Sequence, residues 1–149
     1  MSNDLKKLYS DIIKRHQETP FHFEKKADVP YTIKVCNPIC GDRFEVYMEY
    51  DQKTINQLHF HGFGCAISKA STSVLVKSLE GRTLAEATSL CENFLGFINK
   101  DLKSNEVLLQ EDFKAFSGVH DFPERYDCAT LAWREMQKFL ESGITQQLI

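Results

Sequence analysis

The spacing of apolar positions along the chain changes at Cys65. Before it, in RFEVYMEY, Phe44, Val46, Met48 and Tyr50 alternate with Arg43, Glu45, Tyr47 and Glu49, the period of two that marks a half-buried strand. YDQK then turns the chain into TINQLHFHGFG, where Leu58 and Phe60 oppose His59 and His61. The two segments are therefore expected to form an antiparallel hairpin, and Tyr31 to Val35 supplies a candidate third strand. Ahead of the sheet, DLKKLYSDIIKRH places Leu5, Leu8, Ile12 and Ile13 at helical spacing, predicting an amphipathic helix over 4–16. The segment between Pro20 and Pro30 reads as an extended loop.

After Cys65 the period is that of a helix. AISKASTSVLVKSLEG carries small residues early, Val74, Leu75 and Leu79 later, and Gly81 as its stop. Thr83 opens TLAE, a capping box in which Glu86 can return to the cap amide, and starts a helix with Ala87, Leu90, Phe94 and Phe97 inward. Residues 99–122 are charged with scattered apolars, read as a short helix around 106–116 and a loop closed by Pro123. In CATLAWREMQKFLES, Leu131, Met136, Phe139 and Leu140 form the apolar stripe of a last helix, with Cys128 in its first turn. The layout predicts a single α+β domain spanning residues 1–149: a small three-stranded antiparallel sheet packed against helices.

Composition narrows the function. A chain of 149 residues with a formal charge of −3 lacks the basic footprint of a nucleic-acid binder. Its N-terminus, MSNDLKKLYSDIIKRHQ, has no apolar signal core, and no run approaches the ~20 apolar residues of a membrane span. Cytoplasmic location is expected, and there thiols stay reduced and serve as ligands or catalysts more often than as disulfides. The five cysteines are Cys36, Cys40, Cys65, Cys91 and Cys128. None forms a CxxC pair, so any metal site must be assembled by the fold.

Three of these cysteines stand at element ends. Cys40 lies on the turn NPICGD, Cys65 at a strand-to-helix junction, and Cys128 at a helix start. A helix N-terminus favours the thiolate, the form that binds metal or attacks sulfur. With Asp42 on the same turn as Cys40, three sulfurs and one oxygen make a four-ligand set suited to zinc. Spacing alone leaves the alternative open that Cys65 and Cys128 are buried helix-start residues and Asp42 a turn residue bonding its own backbone.

The runs NPICGD, GFGCAISKAS and ERYDCATLAW resemble the three cysteine motifs of the iron–sulfur scaffold family typified by IscU and the N-terminal domain of NifU. The resemblance spans most of the chain, with the motifs in the family's order. Within it the chain is most similar to the SufU branch. The Cys65–Cys128 segment is longer than in IscU, Asp127 stands where IscU has a histidine, DFPERYDC does not match the IscU chaperone-recognition segment, and Arg125 falls at a position where the SufU branch has an arginine.

The resemblance implies that Cys40, Asp42, Cys65 and Cys128 bind Zn²⁺ and that Cys40 accepts persulfide sulfur from a cysteine desulfurase of the SufS type. It further implies a ligand exchange, in which a histidine of the docked desulfurase takes the place on zinc that Cys40 vacates. A downstream cluster scaffold is a further expected partner, and Arg125, always cationic, is expected to steer the desulfurase or stabilise sulfur charge near Cys128. Two other functions fit the same motifs: a scaffold holding a transient [2Fe–2S] cluster, and a zinc-stabilised adaptor that docks the desulfurase without carrying sulfur.

Elsewhere the plainer readings are favoured. Cys36, four residues before Cys40, reads as strand-end packing rather than a resolving thiol, and Cys91 as core. His59 and His61 are explained by strand alternation rather than by metal binding, His22 and His120 are loop residues with no partner visible in the sequence, and Trp133 and the phenylalanines are read as core.

Overall fold

The computed structural model describes residues 3–38, 41–51, 53–99 and 111–147. Helix α1 (Asn3–Glu18) precedes strands β1 (Tyr31–Asn37), β2 (Asp42–Tyr50) and β3 (Ile55–Phe63), which are followed by α2 (Ala66–Leu79), α3 (Leu84–Ile98), a single turn α4 (Glu111–Lys114) and α5 (Tyr126–Gln147). The sheet is antiparallel with β2 in the middle; Ile33 faces Val46 and Val46 faces Phe60 across it. This is the α+β architecture that the periodicity predicts.

Local chemistry places the joints. Asp51 Oδ1 accepts from the amides of Lys53 (3.0 Å) and Thr54 (2.9 Å), closing the β2–β3 turn with a side chain that copies a backbone bond. Helix α2 ends against Gly81, whose φ of +82° suits glycine. The capping box before α3 is complete: the Thr83 amide donates to Glu86 Oε1 (3.0 Å) and the Glu86 amide to Thr83 Oγ1 (3.1 Å).

The core lies between the sheet and the helices. Phe44, Met48, Leu58 and Phe60 of the sheet meet Leu75 and Leu79 of α2, while Phe94 of α3 stacks on Trp133 of α5 with ring centres 4.2 Å apart. Cys91 is fully buried, as read from the sequence, and burial pushes its thiol well above the ordinary range. Cys36 departs from its packing reading. Burial alternates along β1, so Val35 points inward and Cys36 is exposed.

The segment before α5 also differs from expectation. Of the helix expected over 106–116, residues 106–110 lie outside the described residues, and α4 covers only Glu111–Lys114. The predicted loop is instead a 3-10 helix, Ala115–Asp121, followed by a second at Pro123–Arg125. The reason is a spacing of three: Phe113, Phe116 and Val119 are all buried, and residues three apart share a face in a 3-10 helix.

The two loop histidines have partners. His22, at φ +51°, is held by Leu58 O (2.9 Å) and Glu80 Oε2 (3.0 Å) and stacks on His59. Its segment pairs with the β3 edge through Glu24 N–H to Phe60 O (2.9 Å) and Phe60 N–H to His22 O (3.1 Å). His120 Nε2 lies 3.0 Å from Phe97 O.

Helix α1 is tied down by a buried polar chain. His16 Nδ1 lies 2.7 Å from Ser73 Oγ and its Nε2 3.0 Å from Asp112 Oδ2, and Lys77 reaches the same oxygen at 3.1 Å. The residue types are those of a hydrolytic serine, histidine and aspartate, but the two ring nitrogens are exchanged relative to that triad and Ser73 has 0% exposure, so no substrate reaches it. The role is structural. The hydrogen bond from His16, helped by Lys77, outweighs burial and lowers the Asp112 carboxyl to about 2. A depressed carboxyl contributes stability above its unfolded value that is lost as pH falls through the folded one. Asp112→Asn is therefore expected to cost about 1–2 kcal/mol at neutral pH, with the difference from wild type closing between about pH 4 and pH 2. Denaturant titrations across that range measure it; a difference independent of pH would contradict the assignment.

Candidate metal centre

Three segments distant in sequence converge where β2 begins and α2 and α5 start. Asp42 is the first residue of β2 and pairs with Asn37 across the turn; Gly41, at φ +77°, donates its amide to Asn37 O at 2.8 Å and brings the chain round. The Asp42 side chain has 1% exposure. Its Oδ1 accepts the Cys65 amide at 2.9 Å, fixing the start of α2 against the start of β2.

Cys65 is the N-cap of α2, and its Sγ accepts from the Ser68 amide at 3.4 Å. Sulfur here takes the place of the usual capping oxygen. Cys128 stands in the first turn of α5 with 3% exposure. One ligand atom from each of Asp42, Cys65 and Cys128 lies within 4.8 Å of the other two. Cys40, the fourth ligand named by the sequence motifs, lies outside the described residues.

Two features fit a cation at this point. Asp42 Oδ2 is buried without a hydrogen-bond partner among the described residues, an arrangement that is costly for a bare carboxylate. Two cysteine sulfurs stand beside it, and a thiolate–carboxylate set suits a borderline cation such as zinc. Gly64 lets the carboxylate come this close. A methyl at Gly64 would meet Asp42 Oδ1 at 2.7 Å and the buried Phe44 ring at 2.8 Å.

Arg125 is exposed at the rim, on the 3-10 turn that leads into α5. The negative charge of Cys65 first, then the hydrogen bond to Cys128 and the charge of Cys128, raise the guanidinium's pKa further. Its charge is therefore felt at both sulfurs from the solvent side. Asp127, directly before Cys128, pairs with Arg134 at 2.9 Å.

The structure therefore brings Asp42, Cys65, Cys128 and Arg125 together. His59 and His61 form no metal group among the described residues: His59 stacks on His22 at 4.7 Å, burial and that neighbour lower its pKa, and His61 is exposed beside Phe23. The sequence did not single out Gly64, whose signal is the GFG run ahead of Cys65, and its reading of the phenylalanines as core fails at Phe63 (66% exposed) and Phe122 (57%). Phe63 belongs to the same run, and Phe122 precedes Pro123.

A small antiparallel sheet with cysteines at the starts of two helices defines the class. The family described as NifU-like N terminal domain matches residues 8–142, and the chain belongs to it. Among its relatives, the zinc-dependent sulfurtransferase SufU of Bacillus subtilis (strain 168) is 31% identical, covering 91% of this chain and 90% of its own. The iron–sulfur cluster assembly scaffold protein IscU of Streptococcus pyogenes serotype M1 is 29% identical over 96% of this chain and 89% of its own. In structure the chain is similar to the putative iron–sulfur cluster assembly scaffold protein for the SUF system from Fervidobacterium islandicum AW-1, with a TM-score of 0.81 and 27% identity, covering 90% and 97% of the two chains. None of the described helices is long and apolar enough to cross a membrane.

Gly64→Ala tests the close approach. Phe44 is held in the core and cannot yield, so the added methyl must displace the Asp42 carboxylate from the Cys65 amide. The expected cost is about 1–3 kcal/mol in denaturant unfolding, with reduced cobalt uptake. Unchanged stability and uptake would contradict the contact.

Proposed function

We propose that this protein is a zinc-dependent sulfurtransferase that accepts persulfide sulfur from a cysteine desulfurase and works in the cytoplasm to supply iron–sulfur cluster assembly. The observation that carries the reading is the mutual approach of Asp42, Cys65 and Cys128 ligand atoms to within 4.8 Å. Ligands around a single tetrahedral zinc at about 2.0–2.3 Å lie roughly 3.3–3.8 Å from each other. In a [2Fe–2S] cluster each iron keeps only two terminal positions, so three terminal ligands must be split between two irons and spread further apart. A cluster of three mutual neighbours favours one ion.

In this reading Cys40, Asp42, Cys65 and Cys128 hold the ion, which when bound keeps its thiolate ligands deprotonated without redox chemistry of its own. The Cys40 thiolate attacks the outer sulfur of the desulfurase persulfide. The S–S bond of that persulfide breaks, its electron pair leaves with the enzyme's cysteine as a thiolate, and Cys40 becomes the persulfide. One S–S bond replaces another, so no oxidant or reductant is consumed. Arg125 offsets the negative charge that gathers at the sulfurs while the partner is docked.

The comparison with IscU supports a second reading, a scaffold on which the same ligands hold a [2Fe–2S] cluster as cargo, since that relative is nearly as similar as SufU. Alanine production by the cognate desulfurase, with excess cysteine and a thiol reductant, separates the readings. The zinc-loaded wild type is expected to raise turnover well above one equivalent per site, Cys40→Ala to give no stimulation, and Arg125→Ala to stimulate at least several-fold less. Stimulation that survives Cys40→Ala would indicate an adaptor. No stimulation by wild type, together with a visible cluster after anaerobic reconstitution with iron and sulfide, would establish the scaffold instead.

A further inference from the structure

Cys65 and Cys128 belong to different helices, so the gap between their sulfurs depends on how α2 and α5 are held against each other. At the contact between these helices stands one hydroxyl. Ser71, with 1% exposure, donates to the Ala129 carbonyl at 2.5 Å and accepts from the Trp133 indole N–H at 3.0 Å. Ala129 follows Cys128 directly in sequence. Its carbonyl serves the backbone of α5 through one lone pair and is open to Ser71 through the other. Trp133 is fixed in turn, stacked on Phe94 and edge-on to Phe113.

Resting on the zinc reading above, we propose that Ser71 is a positioning residue: its hydroxyl sets the separation of Cys65 and Cys128 and so the affinity of the centre for its ion. The start of α2 is already tied to β2 by the bond from the Cys65 amide to Asp42. The Ser71 bridge adds the third segment to that frame, next to Cys128. Removing the hydroxyl leaves the Ala129 carbonyl and the Trp133 N–H without this partner in a region closed to water, and the first turn of α5 is free to shift.

Helix α2 supplies its own control. Ser73, two residues on and also fully buried, bonds to His16 and Phe21 on the other side of the helix. Ser71→Ala and Ser73→Ala each delete one buried hydroxyl from the same helix, but only the first faces α5. Zinc affinity is read by competition with a chromogenic chelator, and site geometry by the thiolate-to-cobalt absorption of Co²⁺-loaded protein. Stability of the metal-free forms is read separately by thermal melting.

Ser71→Ala is expected to weaken zinc binding at least tenfold and to change the cobalt spectrum, and Ser73→Ala to lower the melting temperature while leaving affinity within twofold of wild type. Trp133→Phe, which loses the N–H together with one ring of the indole, is expected to weaken binding about three- to fivefold. The proposal is overturned if Ser71→Ala binds within twofold of wild type, or if Ser73→Ala weakens binding equally. Should Ser71→Ala fail to fold, Trp133→Phe decides: binding within twofold of wild type overturns the proposal. Wild-type protein that takes up neither zinc nor cobalt would overturn the metal reading itself.

Discussion

A carboxylate with 1% exposure and one oxygen lacking a donor among the described residues is the constraint around which the rest of the structure is arranged. An ionised group so placed carries an uncompensated desolvation cost of several kcal/mol unless a positive charge or a set of donors meets it. One oxygen of Asp42 is met by the Cys65 amide. The other is the oxygen offered to the zinc ion proposed above. The tight β1–β2 turn, the GFG run that ends β3 and the close packing at Gly64 all serve to bring this carboxylate to the start of α2.

The helices contribute in a complementary way. Both described cysteines of the centre sit where helical amides are unpaired, so thiolate and carboxylate gather around a locally positive backbone, and Arg125 adds charge from the solvent side. Such a centre is partly neutralised before any ion arrives. It is also held by segments that are 23 to 86 residues apart in the chain, Asp42 to Cys65 and Asp42 to Cys128, so metal binding and folding stability are coupled.

Much of this was legible in the residues. Alternation in β2 and β3, the capping box at Thr83 and the stop at Gly81 are local signals, and each appears in the structure. The grouping of Asp42, Cys65 and Cys128 was signalled as well, because cysteines at element ends beside turn formers are at odds with packing alone. What stayed hidden depends on partners remote in sequence. His16 gives no local sign that it will meet Ser73 and Asp112, 57 and 96 residues away, and the Ser71 hydroxyl looks like any small residue in a helix. The 3-10 segment was missed for a different reason: Phe113, Phe116 and Val119 repeat every three residues, a period that fits neither the α-helix nor the strand. Cys36 was misread because strand parity, which sends it outward, was not carried to the end of β1.

The central claim is that one ion is held by sulfur from separate helices together with the Asp42 carboxylate. X-ray absorption at the zinc edge of the zinc-loaded protein measures this directly. The account predicts a shell of three sulfurs at about 2.3 Å and one oxygen at about 2.0–2.2 Å. A shell of nitrogen and oxygen alone, or of four sulfurs, would contradict it.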